Sequence, residues 1–312
     1  MTLKNKRVLV TGAGGFVGQH LCKALFEKEA TVFGFTRNTA DSKYLSKGYE
    51  VDMLDEQAIR QIINAVQPEF VVHLAANKNR GIDGIAYKEG YSTNLIGSLN
   101  ITNACQDIPV LTRFVSLGST DEYGKLQVPF KESYKEAPNS AYGTSKLAVT
   151  ELLRALSRSN GFPSVILRPT IVYGPGQDSS MFLPALIIAL VAGRNFDMSL
   201  GEQTRDFIYI DDLVKAIIQA LIIPGFCGDV VNISSARPIR IDALAKMTAN
   251  MLGNGAGKRL KLGSKNYRPG DVMQYWASNE LAKDSLGWSP MVSLEEGVQQ
   301  TVDYYKALAT DH

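Results

Sequence analysis

The sequence predicts an α/β protein: a doubly wound parallel sheet with helices on both faces, followed by a smaller, discontinuous α/β module. Three observations carry that reading. Short apolar, β-branched runs alternate with helical patterns through the first half, which is the mark of strand–helix–strand units in one parallel sheet. The first of these runs leads into a glycine-rich turn. After Pro169 the alternation stops, and helices separated by loops take over.

Taken in order, Arg7–Val10 is the first strand, and the helix after its glycine turn runs to about Glu27. Thr31–Phe35 is the second strand. Ala58–Val66 is a helix stopped near Pro68, because the residue before a proline is pushed out of helical conformation. Phe70–Leu74 is a strand, Asn94–Gln106 a helix, Arg113–Leu117 a strand, Tyr142–Ser159 a long helix and Val165–Arg168 a strand. Gly174-Pro175-Gly176 is a loop and Phe182–Ala192 a helix. Asp211–Ile223 is a helix whose opening acidic pair suits its positive end, and Val230–Ile233 is a late strand. Helices near Ile241–Met251, Asn279–Leu286 and Leu294–Lys306 complete the chain. The larger domain is expected at 1–169 plus about 204–236, and the smaller one at 170–203 and 237–312.

Composition narrows the function class. The chain has 312 residues, 45% hydrophobic and 21% charged, enough to bury a large core. Lys plus Arg number 33 and Asp plus Glu 31, a net charge of +2 that argues against nucleic-acid or membrane electrostatics but leaves room for a local anion site. Three cysteines at distant positions, Cys22, Cys105 and Cys227, have no metal-ligand spacing; neither a zinc site nor a disulfide framework is expected, and a reducing cytoplasm fits. The segment Met1–Arg7 has no signal-peptide pattern, and Phe182–Ala192 is too short to span a membrane.

The glycine turn points to a ligand. Thr11-Gly12-Ala13-Gly14-Gly15-Phe16-Val17-Gly18 lies between a buried strand and an apolar helix. Gly12, Gly15 and Gly18 permit a tight turn, close approach of a pyrophosphate and close helix–strand contact, with Phe16 and Val17 opening the helix whose free N–H groups face the phosphates. This is a Rossmann-like dinucleotide site. An NAD enzyme usually offers a carboxylate at the end of the second strand, but Phe33-Gly34-Phe35-Thr36-Arg37-Asn38 has none. Arg37 suits a 2′-phosphate instead, which favours NADP(H) over NAD(H); the alternative is a solvated arginine. Asp52 is placed to hold the adenine amino group, beside Met53. Leu74, Ala75 and Ala76 are small or slim enough for backbone to pass near the cofactor. His73, in an apolar strand, reads as structural.

Ser119, Tyr142 and Lys146 form the catalytic set. Tyr142 and Lys146 are four apart at the start of a helix and so share a face. A phenol is a poor base at neutral pH, but an ammonium and the cofactor's positive ring lower its pKa, letting it exchange a proton with a sugar hydroxyl or carbonyl. Ser119 follows a strand, 23 residues before the tyrosine, and positions the same oxygen.

These segments, together with His73–Ala76, Gly118–Gly124, Arg168–Gly176, Gly201–Asp212 and Tyr267–Asp271, resemble over essentially the full length the extended short-chain dehydrogenase/reductase family, specifically its nucleotide-sugar epimerases, dehydratases and reductases. The resemblance implies a nucleotide-diphosphate sugar substrate, with the smaller domain closing over it, and a homodimer through the helices Asn94–Gln106 and Tyr142–Ser159. It implies that Asn94 supports the active-site backbone or the catalytic lysine on the cofactor side, unless it is a helix N-cap. It also implies that Arg205 and Arg268 contact the substrate diphosphate, with Asp271 orienting Arg268 or touching the nucleoside. Ser119 and Thr120 complete the substrate side. Phe182–Ala192 and Arg194-Asn195-Phe196 line the base pocket or belong to the core.

Two departures bear on the reaction. Counted back from Tyr123, Ser119-Thr120-Asp121-Glu122 displaces the acids of the family's dehydratases by one residue, a register that resembles nucleotide-sugar 4-ketoreductases. Ile171 stands where epimerases and dehydratases commonly place an asparagine. The expected function is therefore NADPH-dependent reduction of the C4 keto group of a nucleotide-linked 4-keto-6-deoxyhexose, with Tyr142 as proton donor. An NAD(P)-dependent epimerase is the alternative, a 4,6-dehydratase a weaker one, and a non-catalytic redox sensor on the same fold the bland one.

Overall fold

The computed structural model describes residues 2–36, 43–267 and 271–310. Its chain runs β1 (Arg7–Thr11), α1 (Phe16–Glu27), β2 (Thr31–Thr36), β3 (Lys47–Glu50), α2 (Glu56–Val66), β4 (Phe70–His73) and α3 (Gly84–Gly90). A π-helical turn (Tyr91–Ile96) leads into α4 (Gly97–Gln106), then β5 (Arg113–Leu117) and a short 3₁₀ turn (Thr120–Tyr123). There follow α5 (Ala141–Asn160), β6 (Ser164–Pro169), β7 (Ile171–Tyr173), α6 (Phe182–Val191), β8 (Phe196–Met198), β9 (Thr204–Arg205) and β10 (Phe207–Tyr209). The last part holds α7 (Ile210–Ile222), β11 (Asp229–Ile233), β12 (Ile239–Arg240), α8 (Ile241–Leu252), β13 (Leu260–Leu262), β14 (Gln274–Tyr275), α9 (Glu280–Leu286) and α10 (Leu294–Thr310).

Seven strands form one parallel sheet in the order β11-β6-β5-β4-β1-β2-β3. This is the doubly wound arrangement, and its direction of winding reverses between β1 and β4. A crevice opens at that point beyond the carboxyl ends of the strands, where ligands bind in such folds. Successive residues serve opposite faces: Val8 and Val10 pack into the core under α1 and α7, while Leu9 joins Ile59, Ile63, Ile101 and Leu153 of α2, α4 and α5. All five strands flanking the switch on its β4 side and at β1 are almost wholly buried, which is why they read so clearly as apolar runs.

The second half carries small sheets. β7 pairs with β10, β8 with β13, and the two-residue β9 lies between antiparallel β12 and parallel β14. None of β7, β8, β9, β10, β12, β13 or β14 was expected, because two or three residues are too few to show a period. β3 was missed for another reason: it is a polar edge strand, largely exposed.

The expected helix Asn94–Gln106 is corrected. The helical path starts ten residues earlier, at Gly84, capped by the Asp83 carboxylate on the N–H groups of Ile85 and Ala86. Asn94 is therefore inside a π-helical turn and is not an N-cap. The strand expected at Phe70–Leu74 ends at His73, where Leu74 and Ala75 turn their N–H groups to Thr11 Oγ1, both at 3.1 Å. Among the described residues no helix is long and apolar enough to cross a membrane.

Candidate active site

The glycine turn sits at the switch point. Gly12 has φ +67, a conformation that favours glycine, and a Cβ there would lie 3.0 Å from Ala75 N. A Cβ on Gly18 would lie 2.2 Å from Gly12 O, so only glycine lets α1 come this close to its own turn. Gly15 caps α1 with no side-chain hydrogen bond, and the first turn carries no acidic residue. The helix thus starts with free N–H groups and an uncompensated positive end beside the small segment Leu74-Ala75-Ala76. A dinucleotide's diphosphate fits that cradle. Phe16 and Val17 begin the helix. Asp52 is exposed beyond β3, its Oδ1 accepting from Leu54 N at 2.9 Å, while Met53 is buried with its carbonyl accepting from Asn100 Nδ2. Arg37 lies outside the described residues.

His73 is structural, as expected. Ser98 donates to Asn94 O, so it accepts from His73 Nε2 at 2.9 Å, which leaves Nδ1 to accept from Thr11 Oγ1 at 2.8 Å. Burial, helped by the Lys146 charge, pushes its pKa down to about 3, and the ring stays neutral.

Ser119, Tyr142 and Lys146 come together at the end of β5. α5 is started by Ser140, whose hydroxyl accepts from Gly143 N, and this puts Tyr142 and Lys146 on the turn that faces Ser119. Lys146 is buried, donates to Leu117 O at 2.6 Å, and has its Nζ 6.0 Å from the Tyr142 ring centroid. Burial lowers its pKa to about 8 against the opposing charge of Glu122. Burial and then the Asp121 charge push Tyr142 up to about 12, partly offset by the Arg80 charge and a hydrogen bond with Ser119. At neutral pH the phenol holds its proton.

Two neighbouring acids fix this corner differently. Glu122 Oε1 accepts from Ser119 N at 2.8 Å, completing a capping box in which Ser119 Oγ accepts from Asp121 N. Its Oε2 takes Thr150 Oγ1 and the Arg168 guanidinium, both side chains of that ion pair being 0% exposed. Asp121 instead faces the cleft. Its Oδ2 holds Arg80 Nε at 2.7 Å, and its Oδ1 accepts from the Tyr275 hydroxyl at 2.6 Å. Thr120, expected on the substrate, is 1% exposed, with its hydroxyl on Pro169 O and on Tyr275, so it belongs to the network beneath.

Asn94 clamps the segment after β4. Its Oδ1 accepts from Asn77 N at 2.6 Å, and its Nδ2 donates to Asn77 O at 3.0 Å and to Ser145 Oγ at 2.8 Å. It thereby ties that backbone to the residue preceding Lys146.

Farther out, a cavity of about 390 Å³ is lined by Phe182, Phe196, Gln203, Arg205, Tyr267 and Asp271, among others, within the size range of small-molecule sites. Arg205 sits in β9, its Nη1 on Thr204 O and its Nη2 paired with Asp271 at 2.9 Å. Asp271 therefore orients Arg205; its other expected partner, Arg268, lies outside the described residues. Gln203 Oε1, on the cavity wall, is a buried acceptor without a donor among the described residues. α6 divides its roles: Phe182 and Leu183 line the cavity while Leu186, Ile187 and Leu190 fill the core. Arg205 lies over the Tyr275 ring, 5.9 Å from its centroid, which links the cavity to Asp121 and Tyr142.

Reading the sequence missed Arg80, Asn77, Glu122 and Tyr275. A signal existed for the first two, since polar and basic residues in a loop leaving a switch-point strand stand where ligands bind. Tyr275 had none. Among the described residues no group of three or more His, Cys, Asp or Glu could hold a metal ion.

The model of the NAD dependent epimerase/dehydratase family matches residues 8–234. An uncharacterized UDP-glucose epimerase of Bacillus subtilis (strain 168) is 29% identical, over 97% of this chain and 98% of its own. The UDP-glucose 4-epimerase of Thermotoga maritima, solved with UDP-glucose, superposes with a TM-score of 0.89 at 29% identity, covering 97% of this chain and 99% of that one. The UDP-glucuronic acid 4-epimerase of Bacillus cereus, in complex with UDP-glucuronic acid and NAD, gives 0.86 at 28% identity, with 97% and 99% covered.

Proposed function

The chain belongs to the NAD dependent epimerase/dehydratase family, and from that premise we propose that it reduces the C4 keto group of a nucleotide-linked 4-keto-6-deoxyhexose, with NADPH as donor. The observation that carries this reading is the placement of Tyr142 between Ser119 and buried Lys146, where burial raises the phenol's pKa. A phenol that starts with its proton is ready to donate one, which is what reduction of a carbonyl requires. Ser119, its backbone fixed by Glu122, keeps its own hydrogen for the same oxygen and polarises the carbonyl. Lys146 would stabilise the phenolate left after donation and would hold the ribose of a dinucleotide. When bound, that dinucleotide would supply the hydride.

Asp121 supports the choice against dehydration. A 4,6-dehydratase needs a further acid/base beside the serine, and here both oxygens of that carboxylate are engaged by Arg80 and Tyr275. Arg205, steadied by Asp271, and Arg268 would neutralise the diphosphate, and Gln203 Oε1 offers an acceptor to a base N–H. Gly12, Gly15, Phe16, Val17, Gly18, Asp52, Met53 and Leu74–Ala76 would hold the dinucleotide. Arg37, in a segment Phe33–Asn38 that holds no acid, supports NADPH. The division into domains at 1–169 with about 204–236, and 170–203 with 237–312, belongs to the same proposal, as does a cytoplasmic homodimer.

A second reading, 4-epimerisation of a UDP-sugar, is favoured by the names of the B. subtilis and T. maritima relatives. One experiment separates the two: follow nicotinamide absorbance with NADPH and a panel of UDP-, dTDP-, GDP- and CDP-linked 4-keto-6-deoxy sugars. Stoichiometric loss with one of them, reduced about 10²- to 10⁴-fold by Tyr142→Phe at unchanged dinucleotide affinity, is the expected result. Interconversion of an unmodified UDP-sugar with no net NADPH loss puts the epimerase first.

A further inference from the structure

Arg80 stands in the segment that leaves β4, and its backbone is pinned from both sides. Asn94 holds Asn77; the Asn77 and Asn79 side chains accept from Asn79 N at 2.8 Å and Gly81 N at 2.9 Å; and Gly81 O accepts from Ala141 N at the start of α5. The side chain is fixed as well. Its Nε is bonded to Asp121 Oδ2, and the Tyr275 hydroxyl on Oδ1 keeps that carboxylate from swinging away. The guanidinium carbon lies 4.9 Å from the Tyr142 ring centroid. Even so, 56% of the side chain is exposed, and among the described residues its terminal nitrogens have no protein acceptor.

We propose that Arg80 is a substrate-contacting, specificity-determining residue whose terminal N–H groups donate to the sugar oxygens at and beside the carbon that Tyr142 serves. This rests on the site being one for nucleotide sugars. A guanidinium has five N–H donors in a rigid fork; one is spent on the anchor and the outer ones remain. The partner is an uncharged hydroxyl or keto oxygen, because Asp121 already answers the charge of Arg80 and would face any added carboxylate across the same guanidinium. The position over the phenol adds a second effect: the cation opposes the burial that raises Tyr142. The other groups that bear on that phenol are Ser119, Asp121 and Glu122 from the turn after β5 and Lys146 from its own helix.

The test is calorimetric titration of the full chain, with NADP⁺ present, against UDP, UDP-glucose, UDP-glucuronate, dTDP and dTDP-glucose. For whichever nucleotide binds, Arg80→Met is expected to weaken the glucose conjugate about ten- to hundredfold, the worth of hydrogen bonds from a charged donor, and to leave the nucleoside diphosphate within about twofold. Arg80→Lys should recover only part, since a point charge cannot both hold Asp121 and reach outward. Tyr275→Phe, which frees the anchor, should cost the conjugate a few-fold. Equal weakening of conjugate and diphosphate, or none, overturns the proposal while leaving the nucleotide-sugar reading standing. Tighter wild-type binding of UDP-glucuronate than of UDP-glucose overturns the uncharged partner. If the wild type binds no nucleotide or conjugate at all, the reading itself falls, and the role of Arg80 with it.

Discussion

Two arginine–carboxylate pairs flank the 3₁₀ turn after β5, and adjacent residues supply their acids. Glu122 and Arg168 are sealed, both side chains 0% exposed, with further bonds to Ser119 N, Thr150 and Glu136. Asp121 and Arg80 form the same kind of pair one residue away, but Arg80 is more than half exposed at the cleft. The chemistry is shared and the surroundings are not. A sealed pair is closed to anything that enters and acts on architecture, here the placement of Ser119. An open pair keeps donors in reserve and acts on what enters.

The largest effect should come from breaking the sealed pair. Glu122→Ala leaves the Arg168 charge buried without its main partner, and such losses run to about 3–5 kcal/mol. A urea unfolding series should show the unfolding free energy falling by that amount, and a change under about 1 kcal/mol would mean that Glu136 suffices. Next comes Lys146, whose charge lies close to Glu122. Burial holds its ammonium down to about 8 from 10.5, so between those values the unfolded chain binds a proton that the folded chain has released. Stability should rise as pH goes from about 8 to about 10.5, by on the order of 3 kcal/mol relative to Lys146→Met, with the full penalty below that window. Removing the Glu122 charge with Glu122→Gln should move the lower edge of that window to lower pH and leave its upper edge in place, because that charge holds the folded lysine up. The smallest stability effect belongs to the open pair: Asp121→Asn should change it by less than about 1 kcal/mol, as exposed ion pairs do. Its effect on nucleotide-sugar affinity should be several-fold, and a variant that unfolds the protein instead would erase the distinction between the pairs.

How much of this was legible in the sequence follows from the range of each interaction. The glycine turn was readable because its constraint is local: Gly18 must clear Gly12 O, six residues back. Tyr142 and Lys146 were readable because one helical turn sets their relation. The sheet strands showed as apolar runs because both faces are covered. Arg80 and Tyr275 reach Asp121 across 41 and 154 residues, so no window of sequence holds either pair. Asn94 was noticed for the right neighbourhood, yet its alternative as an N-cap failed because the cap lay upstream at Asp83. The bond from Arg205 to Asp271 was not read for the same reason: it spans 66 residues, and the pairing of β9 with β14 beside it is invisible until the chain has folded.

The π-helical turn at Tyr91–Ile96 has a consequence for insertions and deletions. A π turn holds one residue more than an α-helical path of the same length would need. Losing Tyr91, Ser92 or Thr93, the residues of this turn before Asn94, would let the helix close into ordinary α geometry with its hydrogen bonds intact. The helix would survive, but Asn94 would be turned away from Asn77 and Ser145 by roughly a hundred degrees, the angle of one residue on a helix. A gap of one position here would pass unnoticed in a far-UV spectrum, yet the loop bearing Arg80 would lose its clamp.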